Sequence, residues 1–513
     1  MPLRTMFESP TIEGLAKAIS ALQRAETTGE APPTVTPVPR DRELPLSFAQ
    51  QRLWFLDQLE PGDALYNVPR TFRLVGKLHV NALEQALTGL VERHEILRTT
   101  YQVSGDHPVQ VIATTAAVEL PVFDLRGIPE KAREDEAKRI AQADAVTPFN
   151  LATGPALRCM LLRLGDEDHM LCLNTHHIAS DGWSTGVLLN DLSELYAAAL
   201  EKRPPKLSPL EIQYADYAAW QREWLQGEVL NTQLAYWRKT LDGAPPLLSL
   251  PTDRERPDVQ RFRGATYETI LSKALTEGIR SISKQQGVTS FMAMLAGFKG
   301  LLHFLTGQHD IVIGTDMANR TSVQTEALIG FFVNLLVLRT DLSGNPSFEE
   351  LLDREREIAI GAYAHQDLPF DKLVEELRPE RNLSHSPLVQ VLFVQQNTPR
   401  SNASMPGLEI GHFPLDVASK FDMAVFMREN GSEVAGSWVY NPDLFDASTI
   451  ARMAANFEML LQAAVADPKA RLSSLCDLLA AAEKQQRGSE HKKFQEAGLE
   501  KLKKVRRKAI AEV

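Results

Sequence analysis

Asn174-Thr175-His176-His177-Ile178-Ala179-Ser180-Asp181-Gly182-Trp183-Ser184 packs a histidine pair, an acid and a glycine into one short segment. The apolar run before it, Met170 to Leu173, predicts a buried strand, and Asp181-Gly182 predicts the turn that ends it. Adjacent residues on a strand point to opposite faces. One histidine can then face a cleft while the other is held in the body of the protein, and Asp181 is placed to fix the loop through a buried ion pair. Such a segment suits acyl transfer.

Working outward, other motifs surround this one in a fixed order. Ser47-Phe48-Ala49-Gln50-Gln51-Arg52-Leu53-Trp54-Phe55 and Arg93-His94-Glu95-Ile96-Leu97-Arg98-Thr99 precede it. Tyr214-Ala215-Asp216-Tyr217-Ala218-Ala219-Trp220-Gln221, Ile329-Gly330-Phe331-Phe332-Val333-Asn334, His365-Gln366-Asp367-Leu368-Pro369-Phe370 and Arg381-Asn382-Leu383-Ser384-His385-Ser386-Pro387-Leu388 follow. Over about residues 44 to 480 this succession resembles the condensation domains of non-ribosomal peptide synthetases. The resemblance implies an α/β fold of two chloramphenicol-acetyltransferase-like lobes forming a V-shaped pseudo-dimer.

Composition sets the outer bounds. At 513 residues the chain exceeds a usual single core, and 44% hydrophobic with 24% charged residues is ordinary for a globular protein. The net charge of -11 argues against a general nucleic-acid binder, which needs a basic footprint. Cys159, Cys172 and Cys476 are odd in number and far apart, giving neither a disulfide framework nor a zinc pattern, so no metal is expected. No apolar run reaches the ~18 residues of a membrane span, and the N-terminus lacks the order of a signal peptide. A cytoplasmic protein without a membrane partner is expected.

The predicted organisation has five parts. Residues 1–28, with Ile12, Leu15, Ile19 and Leu22 at helical spacing, resemble the C-terminal end of a peptidyl carrier domain, without the serine that would carry phosphopantetheine. Residues 29–43 form a Pro-rich linker. The two lobes follow over 44–212 and 213–480. Helices are expected over Val80 to Glu95 and 213 to 225, and strands over Val109 to Ile112, Met160 to Leu164 and Phe331 to Leu338. The tail, 481–513, alternates Lys492, Lys493, Lys501, Lys503 and Arg506 with Phe494, Leu499, Leu502 and Val505, a basic helix read as a docking element or the start of another domain.

Amide formation from a thioester needs a neutral amine, a carbonyl within reach, and groups to handle charge and proton. Histidine suits the proton task, with an ordinary value just below that of an α-amine. His177 is the position the family pattern marks, as general base or as a group that orients the amine. Gly182 is a candidate backbone donor to the oxyanion. His176, Asp181 and Trp183 are read as supporting residues, with Arg98 or Arg93 the expected partner of Asp181. Asn334 and Ser386 are cleft candidates.

The resemblance implies peptide-bond formation between a donor thioester on an upstream carrier domain and the amine of an aminoacyl thioester on a downstream one. Phosphopantetheine then belongs to those partners, and this chain holds no cofactor of its own. With the carrier end joined directly to the condensation domain, an L-configured or achiral donor is expected. The alternatives are an epimerisation-type domain and a non-catalytic platform of the same fold that recruits carrier or other partner domains. Platform domains lose the second histidine, which is intact here as His177.

Overall fold

The computed structural model describes residues 33–485 except 116–117, 381, 397–402 and 416–417, together with 12–14, 16–17 and 20. Most of the carrier-like segment and of the basic tail expected from the sequence lies outside the described residues. Strands and helices are interspersed along the chain, with these strands in the first half: β1 Leu44–Pro45, β2 Asn67–Gly76, β3 Thr99–Ser104, β4 His107–Ile112, β5 Val122–Asp124, β6 Leu157–Arg163 and β7 Asp168–His176. The second half contributes β8 Ala265–Leu271, β9 Asp310–Met317, β10 Asn334–Asp341, β11 Val391–Gln395, β12 Leu408–His412, β13 Met423–Asn430 and β14 Glu433–Tyr440.

One sheet orders its strands β12-β2-β7-β6-β5, a second β10-β9-β11-β13-β14-β8, and a small third β1-β4-β3. Strand β7 is apolar from Met170 to Leu173 because it lies inside its sheet, paired antiparallel to both β2 and β6 and buried on both faces. Against this sheet pack the helices Val80–Arg93 and Gly182–Glu201, through Leu83, Leu87 and Leu90 on one and Leu188, Leu192 and Tyr196 on the other. The second lobe is built around the helix Ser290–Thr306, whose residues Phe291 to Leu302 are buried all round. Its lysine, Lys299, is fully buried and paired with Glu355 at 3.0 Å.

Two main cores result, with a smaller cluster of Leu125, Ala137, Met160, Leu162 and Met170 on the other face of the first sheet, and the boundary between the two main cores falls at the end of the helix Tyr214–Trp224. Tyr214, Tyr217 and Ala218 pack in the first core, whereas Leu225 begins the second. Residues 33–39 form neither helix nor strand, a turn follows at residues 40–42, and the segment is fastened to the first lobe. Pro33 accepts a hydrogen bond from Trp220 Nε1 at 2.7 Å, and Arg40 pairs with Asp216 at 2.6 Å.

Two elements of the second half of the chain enter the first lobe. After β11 the chain crosses over, adds β12 to the edge of the first sheet antiparallel to β2, and returns as β13. Leu328, Ile329 and Phe332 are buried in the first core. The strand expected over Phe331–Leu338 therefore starts only at Asn334. Phe331 and Phe332 direct their backbone groups to the first lobe, where the Phe331 carbonyl accepts from the Tyr214 hydroxyl at 2.6 Å and the Phe332 N–H donates to Asp181 at 3.0 Å. The helix expected over Val80–Glu95 stops at Arg93, where His94 turns inward to Asp191 at 2.8 Å, and a 3-10 turn, Glu95–Arg98, follows.

The crossover depends on a close backbone approach. Gly76, at φ +126°, lies where a Cβ would stand 2.2 Å from the Gly407 carbonyl oxygen. Gly76→Ala is expected to lower stability by about 2 kcal/mol or more through strain at this contact. Gly127→Ala, where a Cβ meets nothing within 4 Å, is expected to be neutral. Urea denaturation of both variants checks the difference.

Candidate active site at the lobe junction

Strand β7 ends at His176, and a one-turn 3-10 segment, His177–Ala179, carries the chain to Asp181. The helix that Ser47 starts, Phe48–Leu59, holds this segment from outside: Gln50 Nε2 donates to the Ile178 carbonyl at 3.3 Å and to the Tyr101 hydroxyl at 3.0 Å. Ser47 Oγ meets Tyr214 OH at 2.9 Å. Motifs far apart in sequence thus share one polar network around the histidines.

The two histidines have different surroundings. His176 is buried, its Nδ1 accepts from the Ile178 N–H at 3.1 Å, and burial, followed by the charge of Lys420, pushes it down to about 3. His177 is part-exposed at the junction, its N–H held by the Tyr66 carbonyl at 2.7 Å and its ring edge-on to Phe331 at 4.7 Å. Its Nδ1 is buried with no hydrogen-bond partner. Burial holds His177 well below the ordinary histidine value, reinforced by Lys420 and opposed by contact of the ring with its own backbone carbonyl.

Asp181 is almost completely buried and caps the helix Gly182–Glu201 by accepting from Ser184 N at 2.8 Å. The sequence points to Arg98 or Arg93 as its ion-pair partner; the structure gives Arg320 instead, at 3.2 Å, with both side chains about 1% exposed. Arg98 is occupied by the carbonyls of Val91, Glu92 and Ala113, and Arg93 by Asp191 at 2.8 Å. Both arginines serve the fold of the first lobe. Arg320 belongs to the loop after β9, in the second lobe, and also donates to the Leu328 carbonyl at 2.8 Å and lies 4.1 Å from the Phe332 ring centroid. Ser184 Oγ, which donates to Asp181 at 2.7 Å and accepts from the Gly330 N–H at 3.0 Å, completes the tie.

Gly182 does not form a turn. It opens a 20-residue helix without a positive φ, and a Cβ there would meet nothing within 4 Å. Trp183 is part-buried and donates its indole N–H to the Glu326 carbonyl at 2.9 Å. Asn334 brackets the His365–Phe370 loop: it donates to the carbonyls of Gln366 and Leu368, both at 2.8 Å, and accepts from Phe370 N at 2.9 Å. Ser386 Oγ donates to the Lys420 carbonyl at 3.1 Å. These two polar side chains are committed to holding backbone. A groove of about 740 Å³ on the second lobe, lined in part by Arg238, Pro246, Glu376 and His385, does not include His177.

The sequence reading missed Arg320, Tyr66 as the anchor of His177, and Lys420. Arg320 follows a buried strand and precedes an apolar segment, which is a signal for a buried cation only once its partner is known. Among the described residues no group of three His, Cys, Asp or Glu side chains is placed to hold a metal ion, and no single helix is long and apolar enough to cross a membrane.

The condensation-domain family model matches residues 40–486. The chain belongs to the condensation-domain family. It is 42% identical over 467 residues to malpibaldin synthetase of Mortierella alpina, a match that covers 90% of this chain but only 8% of that protein. It is 41% identical to phosphinothricin tripeptide synthetase PhsC of Streptomyces viridochromogenes, over 89% of this chain and 42% of that one. The chain therefore spans less than half of these multidomain relatives. Among solved structures, the X-domain from teicoplanin biosynthesis superposes with a TM-score of 0.78 at 30% identity, covering 86% of this chain and 99% of that one. The first condensation domain of the calcium-dependent antibiotic synthetase, in complex with a substrate analogue, gives 0.70 at 21% identity, covering 85% and 98%. The two lobes are those of the chloramphenicol-acetyltransferase-like pseudo-dimer, and the family's general activity is peptide-bond formation in non-ribosomal synthesis.

Removing one partner of the buried pair leaves an uncompensated charge, which costs about 3–5 kcal/mol. Asp181→Ala and Arg320→Met are each expected to lose stability on that scale, while the double variant recovers part of it. Arg98→Met is expected to cost less, because the carbonyls it serves are also part-exposed to water. Chemical denaturation of the four variants measures the coupling.

Proposed function

We propose that this domain joins a donor acyl or peptidyl thioester on an upstream carrier domain to the amine of an aminoacyl thioester on a downstream carrier domain, with both substrates presented on the phosphopantetheine arms of those partners. An L-configured or achiral donor and a cytoplasmic setting belong to the same proposal. The observation that carries it is the intact, part-exposed His177, clamped by the Tyr66 carbonyl at the junction of the lobes.

In this reading His177 orients the amine. Its environment makes it a weak base, unable to draw a proton from an ammonium efficiently, but a neutral imidazole keeps one ring nitrogen as a hydrogen-bond acceptor that can aim a neutral amine at the carbonyl. Holding two reactants in attack geometry supplies several orders of magnitude without any proton transfer. The N–H of Gly182, at the start of a long helix, is one of the donors a helix leaves unused internally, and the helix dipole favours negative charge there. It is the proposed donor to the developing oxyanion.

A second reading, a platform that recruits partner domains, is favoured by one observation. The chain is 30% identical to the teicoplanin X-domain, and a related solved structure, 31% identical, is a complex of that X-domain with OxyB.

Single-turnover transfer between preloaded carriers separates the roles. His177→Ala is expected to slow transfer by roughly 10²-fold, about 3 kcal/mol, with carrier binding unchanged. His177→Gln, whose amide oxygen still accepts a hydrogen bond, is expected to retain most of the rate. A glutamine variant as slow as the alanine one contradicts the orienting role, and an alanine variant with full activity removes His177 from the reaction.

A further inference from the structure

The return of the crossover brings a cation to the histidines. Lys420 lies just before β13, its carbonyl held by Ser386 Oγ at 3.1 Å and Gln260 Nε2 at 3.2 Å. Its Nζ stands 4.1 Å from the centroid of the Tyr66 ring, and Tyr66 is the residue whose carbonyl fixes His177. A cation over an aromatic face is held there by the ring quadrupole. Lys420 is part-exposed, and among the described residues no carboxylate lies within ion-pair distance of its Nζ.

Two of the cations around it are paired with carboxylates. Arg52, on the helix Phe48–Leu59, is paired with Asp371, and Arg320 with Asp181. Arg70, on β2, donates to the Asp181 carbonyl at 3.3 Å. Facing Lys420 are also Asp63 and Tyr66 before β2, His176 at the end of β7 and His177 after it, and Asp316 on β9. Asp316 and Asp63 oppose its charge, yet Asp316 makes no ion pair with Lys420, and burial pushes it up to about 6.

We propose that Lys420 is a charge-setting residue of the transfer site, an unneutralised ammonium that disfavours protonation of His177 and of the incoming amine. Two cations so close repel, so a fixed charge lowers the proton affinity of each basic group beside it. Burial first and then Arg52 push the Lys420 ammonium down to about 7, against the opposing charges of Asp316 and Asp63, so its charge is lost as pH rises above that. It is fully present on the acid side, where protonation of the amine would stop attack. Lys420 acts through these groups as a positioning residue, not through contact with the reacting carbonyl.

The proposal rests on the reading of the junction as a transfer site, and the test has two arms so that the two can fail separately. The first titrates the His177 imidazole by NMR in histidine-labelled protein, assigned with His177→Gln. Removing the charge with Lys420→Met is expected to raise the His177 midpoint by about one unit, while Lys420→Arg leaves it near wild type. An unmoved His177 midpoint in the methionine variant overturns the proposal, whatever the catalytic behaviour. The second arm measures single-turnover transfer across pH 6 to 9. The acid limb of Lys420→Met is expected to move up by about one unit with the rate recovering at the alkaline end, and that of Lys420→Arg to stay in place. An equal loss at every pH in the methionine variant marks a merely structural residue and overturns the proposal. If the wild-type protein itself transfers nothing, the proposed function fails and the NMR arm alone decides the charge-setting role.

Discussion

The carboxylate of Asp181 is the constraint around which the junction is organised. It is nearly inaccessible to water, and a buried charge is tolerated only when it is paired and its lone pairs are occupied. Here the occupants come from both halves of the chain: Ser184 N and Oγ from the first lobe, Arg320 and the Phe332 N–H from the second. The start of the helix Gly182–Glu201 and the Leu328–Phe332 segment are consequently fixed by one group. Because Asp181 lies four residues after His177, the angle between the lobes and the position of the histidine are set together.

The remaining contacts follow from that arrangement. Once Phe331 and Phe332 are turned toward the first lobe, Tyr214 can hold the Phe331 carbonyl, and Gly330 must be glycine because a Cβ there would stand 2.1 Å from the Tyr214 ring. Phe331 then lies against the His177 ring, and Tyr66 secures the backbone on its other side. The cost is electrostatic. An imidazole enclosed in this way is a poorer base than a free one, and that weakness is what favours orientation over proton abstraction as its contribution.

Much of this was legible in the sequence. The apolar run Met170–Leu173 identified β7, and the order of the motifs identified the two-lobed family fold. Local patterns failed where a backbone or side chain answers to the opposite lobe. Phe331–Val333 have the composition of a strand, but their hydrogen bonds go elsewhere. Asp181-Gly182 has the composition of a turn, yet Asp181 is an equally good helix cap, and the helix prevailed because Leu188, Leu192 and Tyr196 bury its face. The choice of Arg320 over Arg98 as ion-pair partner was invisible for the same reason, since no local spacing reports a contact spanning 139 residues.

The central claim is that this junction forms an amide between two carrier-bound substrates. Its most direct measurement is reconstitution of the domain with a loaded donor carrier and a loaded acceptor carrier, followed by mass spectrometry of the intact carriers. The account predicts that the acceptor gains the donor acyl mass through an amide while its own thioester is retained, and that the donor arm is released as the free thiol. Binding of both carriers without any such mass transfer would contradict it and leave a domain that only recruits its partners.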